Sequence, residues 1–309
     1  MDPNNPYQGP QAALLDTPRP GESTVGRARR RPVGHGLRWW TRAWSLVETN
    51  WVLWCLVTLV FFAVLLGISL LSLWVPMLGS FVPTLLVPVL SAGLCHLAWR
   101  RWTDDEFQFF DFFAGFSHRT GPLFVTGLIQ LLLQVVYSAA MAAMALVLFG
   151  AEGTAFFGGA FGATGAPATT AVDADGAAPL LIGMVGAALF VPYMALIWFQ
   201  APLVYFGDRG AFRALGESFT AVLRNWLPML WYSVIVMMVL TFWGGVFWVF
   251  FVFANTLFSG VSQILANALL GLAAAVSGLF LMAVSMISVY ASFRDIFGAD
   301  DEPEAAPEL

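Results

Sequence analysis

The chain has 309 residues, of which 59% are hydrophobic and only 11% are charged, and its mean hydropathy is +0.77. Because soluble domains carry about 25% charged residues, this composition excludes an ordinary soluble globular protein and indicates an integral membrane protein. The formal net charge is −5 and all 14 basic residues are arginine, so the positions of arginine along the chain are more informative than the net charge.

The N-terminal part of the chain contains a polar tail and a short amphipathic segment. Residues 1–36 are rich in proline and arginine and lack the apolar core of a cleaved leader, so we predict a disordered basic tail. In residues 37–50, apolar side chains recur at steps of three and four and therefore share one helical face: Leu37, Trp40, Trp44 and Val47. We predict that this helix lies in the membrane interface with its aromatic side facing the acyl chains.

Six segments contain no Asp, Glu, Lys or Arg and are long enough to span a membrane: 51–74, 78–99, 121–149, 179–206, 227–254 and 264–290. The shortest has 22 residues, which at about 1.5 Å per residue covers a hydrocarbon core about 30 Å thick. Several contain proline, which membrane helices tolerate where neighbouring helices satisfy the freed carbonyl: Pro83, Pro88, Pro192 and Pro202. The pattern predicts an all-α integral membrane protein with six transmembrane helices.

The arginines predict the direction of each span. They lie before span one, between spans two and three, between spans four and five, and after span six, whereas the connections at 75–77, 150–178 and 255–263 contain none. Because cytoplasmic segments carry the basic excess, we predict both termini in the cytoplasm of a bacterial inner-membrane protein, with 150–178 as an outer loop. Residues 299–309 are predicted to form an acidic, disordered tail.

A short amphipathic segment precedes every odd-numbered span, and the three segments resemble one another. The segments 37–50 and 211–225 share their apolar spacing, and both end at the dipeptide Asn-Trp: Asn50-Trp51 and Asn225-Trp226. The segment 104–118 is a looser copy that keeps the aromatic residues. We therefore predict three parallel repeats, each an interfacial amphipathic helix followed by a helical hairpin.

Polar side chains inside the spans are the candidate functional residues, because a bilayer makes polar groups costly. These intramembrane positions are His96, Gln130, Gln134, Gln200, Gln263 and Asn267. Gln130 and Gln134 are one turn apart, as are Gln263 and Asn267, so each pair shares a helical face. Two interpretations are open: a polar cavity between helices, or interhelical hydrogen bonds that contribute about 0.6 kcal/mol each.

The sequence contains no motif that carries catalytic chemistry. It has no phosphate-binding loop, dinucleotide fingerprint, metal-binding His/Cys cluster or nucleophile–base pair. Cys55 and Cys95 lie in apolar segments and are expected to be free buried thiols. We therefore expect no enzymatic activity, no cofactor and no metal.

Several motifs resemble those of a known family. They are Asn5-Pro6-Tyr7-Gln8 with Pro10, Gly36-Leu37-Arg38-Trp39-Trp40, Phe112-Phe113-Ala114-Gly115-Phe116, Ala201-Pro202-Leu203-Val204, Ala214-Leu215-Gly216-Glu217-Ser218-Phe219 and Arg224-Asn225-Trp226. Over nearly the whole chain they resemble the BPSS-type family of bacterial polytopic inner-membrane proteins. More distantly, the chain is similar to the membrane domain of some glycerophosphodiester phosphodiesterases, without their catalytic domain. The resemblance implies a multi-pass architecture and carries over no catalytic residues.

Two hypotheses about function follow from these observations. The first is a non-enzymatic scaffold or accessory membrane subunit, whose partners would be the lipid bilayer and a membrane protein or further copies of the chain. The alternative is a transporter or lipid-handling protein with a polar cavity between spans, lined by Gln130, Gln134, Gln200 and Asn267. Neither hypothesis includes a nucleic-acid partner.

Overall fold

The computed structural model describes residues 25–71, 74–103, 108–160 and 178–298, without the side chains of 76–80, 148–160 and 178–182. Within those ranges the chain forms helices and no strand, apart from one isolated antiparallel bridge between Val25 and Gly298. The helices are α1 (His35–Glu48), α2 (Trp51–Leu70), α3 (Pro76–Trp102), a 3₁₀ helix (Phe109–Phe113), α4 (Ala114–Ser117), α5 (Thr120–Ala160), α6 (Ala178–Ile197), α7 (Gln200–Phe206), α8 (Ala211–Arg224), α9 (Trp226–Leu257) and α10 (Gly260–Phe297).

Six helical segments are long and apolar enough to cross a membrane, as the sequence predicts. They are Trp51–Leu70, Phe81–Trp102, Thr120–Val147, Gly183–Phe206, Trp226–Leu257 and Gly260–Phe297. Each has at most two charged residues in its most apolar stretch, because charge is confined to the helix ends. The chain is therefore a multi-pass membrane protein.

The fourth span is interrupted, whereas the sequence predicts one continuous helix over 179–206. Helix α6 ends at Ile197 and α7 begins at Gln200. Pro202 accounts for the interruption, because its ring removes one N–H donor and clashes with the carbonyl four residues earlier. Ser218 of α8 satisfies the exposed backbone: its Oγ accepts the Phe199 N–H at 3.0 Å and donates to the Ala195 carbonyl at 2.8 Å.

Two helices, α5 and α10, extend furthest beyond the predicted spans. Helix α5 continues to Ala160, so the first part of the predicted outer loop 150–178 is helical, and residues 161–177 lie outside the described ranges. No proline follows Pro122 in α5, so each added residue gains a backbone hydrogen bond. Helix α10 extends beyond 264–290 at both ends, to Gly260 and Phe297.

The second amphipathic segment is not the single helix predicted over 104–118. Residues 104–107 lie outside the described ranges, and the rest forms the 3₁₀ helix and the short α4. The segment is pressed against α3: a Cβ on Gly93 would collide with the Phe112 carbonyl, and one on Gly115 with the Val89 carbonyl. This close approach, together with the Arg100–Asp111 ion pair at 2.7 Å, favours a tight 3₁₀ turn over a free interfacial helix.

Each amphipathic segment packs on protein rather than only on the membrane surface. Helix α1 packs on α9 and α10, the 3₁₀ helix and α4 pack on α3, and α8 packs on α5, α6 and α7. The buried face of α1 also differs from the predicted apolar stripe, since Leu37 and Trp44 are exposed. Small residues explain the difference: a Cβ on Gly36 would lie 2.8 Å from the Tyr232 backbone nitrogen of α9.

The part of the N-terminal segment that the structure describes is ordered, which corrects the prediction of a disordered tail over 1–36. The Gly26 N–H donates to the Phe297 carbonyl at 2.7 Å, and the Arg29 N–H donates to the Ile296 carbonyl at 3.0 Å. The buried Asn225 side chain accepts the Arg31 N–H at 2.7 Å and donates to the Arg29 carbonyl at 2.9 Å. Residues 1–24 and the predicted acidic tail 299–309 lie outside the described ranges.

Replacing Asn225 with alanine is expected to release this N-terminal segment. The substitution removes the side chain that bonds the Arg31 N–H and the Arg29 carbonyl. This should lower the free energy that holds the segment in place by about 1–3 kcal/mol. Trypsin should then cleave after Arg27, Arg29 and Arg30 several-fold faster in detergent-solubilised protein, as followed by mass spectrometry. Asn50, at the corresponding position before α2, is exposed and is the matched control, so equal acceleration in Asn50→Ala would contradict the expectation.

Many buried side chains lie at the end of the bundle where the described chain begins and ends, at Val25 and Gly298. Fully buried side chains there include Trp54, Leu97, Phe199, Ile287 and Ile296. At the opposite end, the α9–α10 hairpin exposes large apolar side chains on both helices: Trp248, Phe251, Phe253, Leu265 and Leu269. Such a surface requires lipid or protein around it, as expected of a transmembrane hairpin.

Candidate functional site

Gln130 and Gln200, two of the predicted intramembrane polar residues, are bonded to each other. The Gln130 Nε2 donates to the Gln200 Oε1 at 3.1 Å, and the Gln200 Nε2 donates to the Ala211 carbonyl at 3.2 Å. Their exposed fractions are 6% and 0%. These bonds join α5, α7 and α8 beside the interruption of span four, so the pair stabilises a broken helix rather than opening a cavity.

Gln134 lies one turn further along α5 and has separate partners. The Tyr193 hydroxyl of α6 donates to its Oε1 at 3.1 Å, and its Nε2 lies 3.5 Å from the Ser138 hydroxyl. The Tyr137 ring packs beside Tyr193, with centroids 5.9 Å apart. Gln134 therefore forms an interhelical hydrogen bond between α5 and α6.

Gln263 and Asn267 form a different cluster, at the turn of the α9–α10 hairpin. The Gln263 Nε2 donates to the Asn255 Oδ1 at 2.5 Å, and the Asn267 Nδ2 donates to the same oxygen at 3.2 Å. Asn255 donates in return to the Asn267 Oδ1 at 3.3 Å. Asn267 is thus bonded within its own hairpin, in a different cluster from Gln130, Gln134 and Gln200.

His96 belongs to a polar and aromatic group near the terminus-bearing end of the bundle. Its Nδ1 lies 3.1 Å from the Tyr205 hydroxyl, and its ring packs on Trp99 with centroids 5.5 Å apart. The His118 ring meets the other side of Tyr205 edge-on, at 5.3 Å. The Tyr205 hydroxyl therefore links α7 to α3, which is a packing role.

A cavity of about 690 Å³ opens at the same end of the bundle, between the N-terminal segment, α1, α3 and α10. One wall is organised by the Asp295 carboxylate. The Trp39 indole donates to it at 2.7 Å, the His35 Nδ1 lies 2.8 Å from it, and the Arg31 Nε lies 3.2 Å away. Arg31 also donates to the Asp295 carbonyl, which fixes its guanidinium against α10.

The other wall is cationic and aromatic. The Arg42 guanidinium lies 4.4 Å from the centroid of the Trp102 ring, and the Arg294 guanidinium lies 5.0 Å from the same ring. Arg38, one turn before Arg42 on α1, approaches the His35 Nε2 at 3.4 Å. Four guanidinium groups and one carboxylate therefore line the cavity among the described residues.

This cavity was only partly predictable from the sequence. The positive-inside rule explains arginines at this end of the chain equally well whether or not they line a cavity. Arg38 and Arg42 are spaced four apart and so share a helical face, which is a usable signal. Nothing in the sequence indicates that Trp102 and Asp295, on α3 and α10, meet that face.

The described residues contain no group of three or more His, Cys, Asp or Glu side chains placed to hold a metal ion. Cys55 and Cys95 are free and buried, on α2 and α3. The chain matches no protein-family model, no curated protein sequence and no solved structure.

Proposed function

We propose that this protein is a non-enzymatic scaffold or accessory subunit of a bacterial inner membrane. One observation carries the proposal: the polar side chains inside the spans are bonded to one another, as Gln130 is to Gln200 and Asn267 is to Asn255. In the described part of the bundle, these bonds join helices where a transport pathway would need unpaired polar groups. A bundle held in this way is suited to present fixed surfaces to a partner.

Both ends of the chain are proposed to face the cytoplasm. The bridge between Val25 and Gly298 supports a common side for the two ends, because an even number of spans returns the chain to its starting side. The arginines between spans two and three and between spans four and five support the cytoplasmic assignment.

The bundle is proposed to consist of three parallel repeats, and two features of the packing support this. Each amphipathic segment packs on the hairpin of the preceding unit, with α1 closing the series on α9 and α10. Four of the six buried positions of α1 recur in α8 at the offset that relates Asn50 to Asn225: Gly36 with Ala211, Trp39 with Ala214, Ala43 with Ser218 and Leu46 with Ala221. A rotation of about 120° around the membrane normal should superpose each unit on the next; a symmetry axis in the membrane plane would contradict the repeat.

The partner is proposed to contact the exposed aromatic side chains of the amphipathic segments. Phe110 and Phe212 are 75% and 74% exposed, and both lie at the arginine-bearing end of the bundle. Aromatic side chains are enriched at protein interfaces because each supplies a large contact area at little entropic cost.

Affinity purification of the full chain in mild detergent tests this function. We expect a stoichiometric membrane-protein partner or a defined homo-oligomer, and we expect Phe110→Ala with Phe212→Ala to reduce its recovery severalfold. Phe242→Ala, equally exposed but inside span five, is the control and should leave recovery unchanged. Repeated recovery of a lone monomer would contradict the scaffold function.

A lipid-handling function is the second candidate, and the basic cavity between α1, α3 and α10 favours it. Purified protein in vesicles would then move labelled phospholipid between leaflets faster than empty vesicles do. A rate equal to that of empty vesicles would exclude this second candidate.

A further inference from the structure

We propose that the cavity between α1, α3 and α10 binds the phosphate group of an anionic phosphate ester. This inference is independent of the scaffold function proposed above. The chemistry of the ligand follows from the cavity wall, which presents arginine guanidinium groups around an indole ring. Guanidinium matches phosphate in shape, because its N–H groups can donate two parallel hydrogen bonds to two phosphate oxygens.

Arg38 and Arg42 are the residues that would hold the phosphate. Both side chains are exposed on the cavity side of α1, and neither forms an ion pair with a carboxylate in the described part of the chain. Among the described residues, the one hydrogen bond of the Arg38 guanidinium is to His35, and the Arg42 guanidinium contacts the face of Trp102. Most of the N–H donors of these two guanidinium groups are therefore available to a ligand.

The opposite wall is held in place before any ligand enters. Asp295 accepts hydrogen bonds or ion pairs from Arg31, His35 and Trp39, so its charge is balanced within the wall. Because Arg38 donates to the His35 Nε2, the His35 Nδ1 is left as the donor to Asp295. A fixed wall lowers the entropic cost of binding, since few side chains remain to be ordered.

The positive-inside rule explains why arginines occur at this end of the chain, but it does not explain their convergence. Topology requires only that arginines lie on one side, and exposed Arg27 meets that requirement without lining the cavity. The cavity instead draws its arginines from the N-terminal segment, from α1 and from α10. Three separate parts of the fold contribute to one anion-binding surface.

The position of the cavity along the membrane normal favours a lipid headgroup over a soluble phosphate ester. Trp102 is the last residue of α3 and Arg294 lies in the last turn of α10, so the cavity sits where these spans leave the membrane. Indole rings prefer the headgroup level, and basic pockets between transmembrane helices at the cytoplasmic side bind anionic headgroups.

Calorimetric titration of the purified full chain in a neutral detergent tests the site and the source of the phosphate. The probes are dihexanoyl phosphatidic acid, glycerol 3-phosphate and inorganic phosphate. Saturable binding of phosphatidic acid with weak binding of the other two assigns the site to a lipid headgroup, whereas comparable binding of glycerol 3-phosphate assigns it to a soluble ester.

Substitutions separate the cavity from general surface charge. Arg38→Gln with Arg42→Gln should raise the dissociation constant about tenfold or more, because two charge-assisted contacts are lost. Arg38→Lys with Arg42→Lys keeps the positive charge but loses the paired N–H donors of guanidinium. It should raise the dissociation constant by less. Arg27→Gln with Arg30→Gln, which removes two exposed charges outside this cavity, should change the constant less than about twofold.

Unchanged elution volume and unfolding midpoint in each variant confirm that the comparison concerns binding alone. The site is overturned if none of the three probes binds saturably to the wild-type chain. It is equally overturned if Arg27→Gln with Arg30→Gln weakens binding as much as the Arg38 and Arg42 variants do. Neither result bears on partner recovery, so the scaffold proposal is judged separately.

Discussion

Replacing Asp295 with alanine is expected to lower the free energy of unfolding by about 2–3 kcal/mol. The carboxylate accepts from Trp39 at 2.7 Å and lies 2.8 Å from the His35 Nδ1 and 3.2 Å from the Arg31 Nε. Its side chain is only 24% exposed, so water replaces these contacts incompletely. The loss leaves three donors without their common acceptor and loosens the N-terminal segment and α1 from α10.

The effect of Asp295→Ala can be measured as the shift in the midpoint of unfolding by sodium dodecyl sulfate. Asp208→Ala is the control, because Asp208 also pairs with an arginine, Arg119, but is 64% exposed. An exposed ion pair contributes about 0–1 kcal/mol, so this control should shift the midpoint little. Equal shifts in the two variants would show that the Asp295 contacts add nothing beyond a surface charge.

Replacing Gly93 with alanine is expected to destabilise the bundle by about 3 kcal/mol. The added Cβ would lie 2.7 Å from the Phe112 carbonyl carbon and would also collide with the carbonyl oxygen. The obstacle is backbone, which cannot rotate away as a flexible side chain can. Helix α3 and the 3₁₀ helix must therefore separate, which also exposes the fully buried Phe112.

Gly67→Ala is the matched control for Gly93→Ala. Gly67 also lies inside a transmembrane helix, but a Cβ at that position meets no other atom within 4 Å. Alanine favours helix over glycine by about 1 kcal/mol, so Gly67→Ala should be neutral or slightly stabilising. Both variants can be compared by thermal unfolding in detergent, and a neutral Gly93→Ala would contradict the close packing of the 3₁₀ helix on α3.

The six spans were predictable because each is marked by its own long stretch of sequence without charged residues. A segment such as 227–254 lacks charge over its whole length, and the hydrocarbon core allows few alternatives to a helix there. The interruption of span four was only partly predictable. Pro202 indicates a broken helix, but the acceptor that makes the break tolerable, Ser218, comes from another helix.

The order of the N-terminal segment and the faces of the amphipathic helices were not predictable from composition. Proline and arginine between residues 25 and 34 indicate disorder, yet this segment is held by the ends of α8 and α10 through Asn225 and Phe297. The aromatic stripe of α1 was the visible feature, whereas its contact with α9 depends on Gly36. Small residues carry little hydrophobic signal, so their packing role appears only in the fold.

The candidate polar residues are buried or partly buried, but their grouping was not predictable from the sequence. Spacing along one helix pairs Gln130 with Gln134, whereas the fold pairs Gln130 with Gln200 and Gln134 with Tyr193. The same limit applies to the basic cavity. Its residues come from sequence positions as distant as Arg31 and Asp295, which only the closure of α1 on α10 brings together.

Labelling of single cysteines in spheroplasts with a membrane-impermeant maleimide tests the proposed topology most directly. In a chain with Cys55 and Cys95 replaced, we expect Ser259→Cys to react from outside, since Ser259 joins α9 to α10. Thr103→Cys and Gly210→Cys, in the arginine-bearing connections, should react only after lysis. Equal labelling of Thr103→Cys and Ser259→Cys from outside would contradict six crossings with both ends in the cytoplasm.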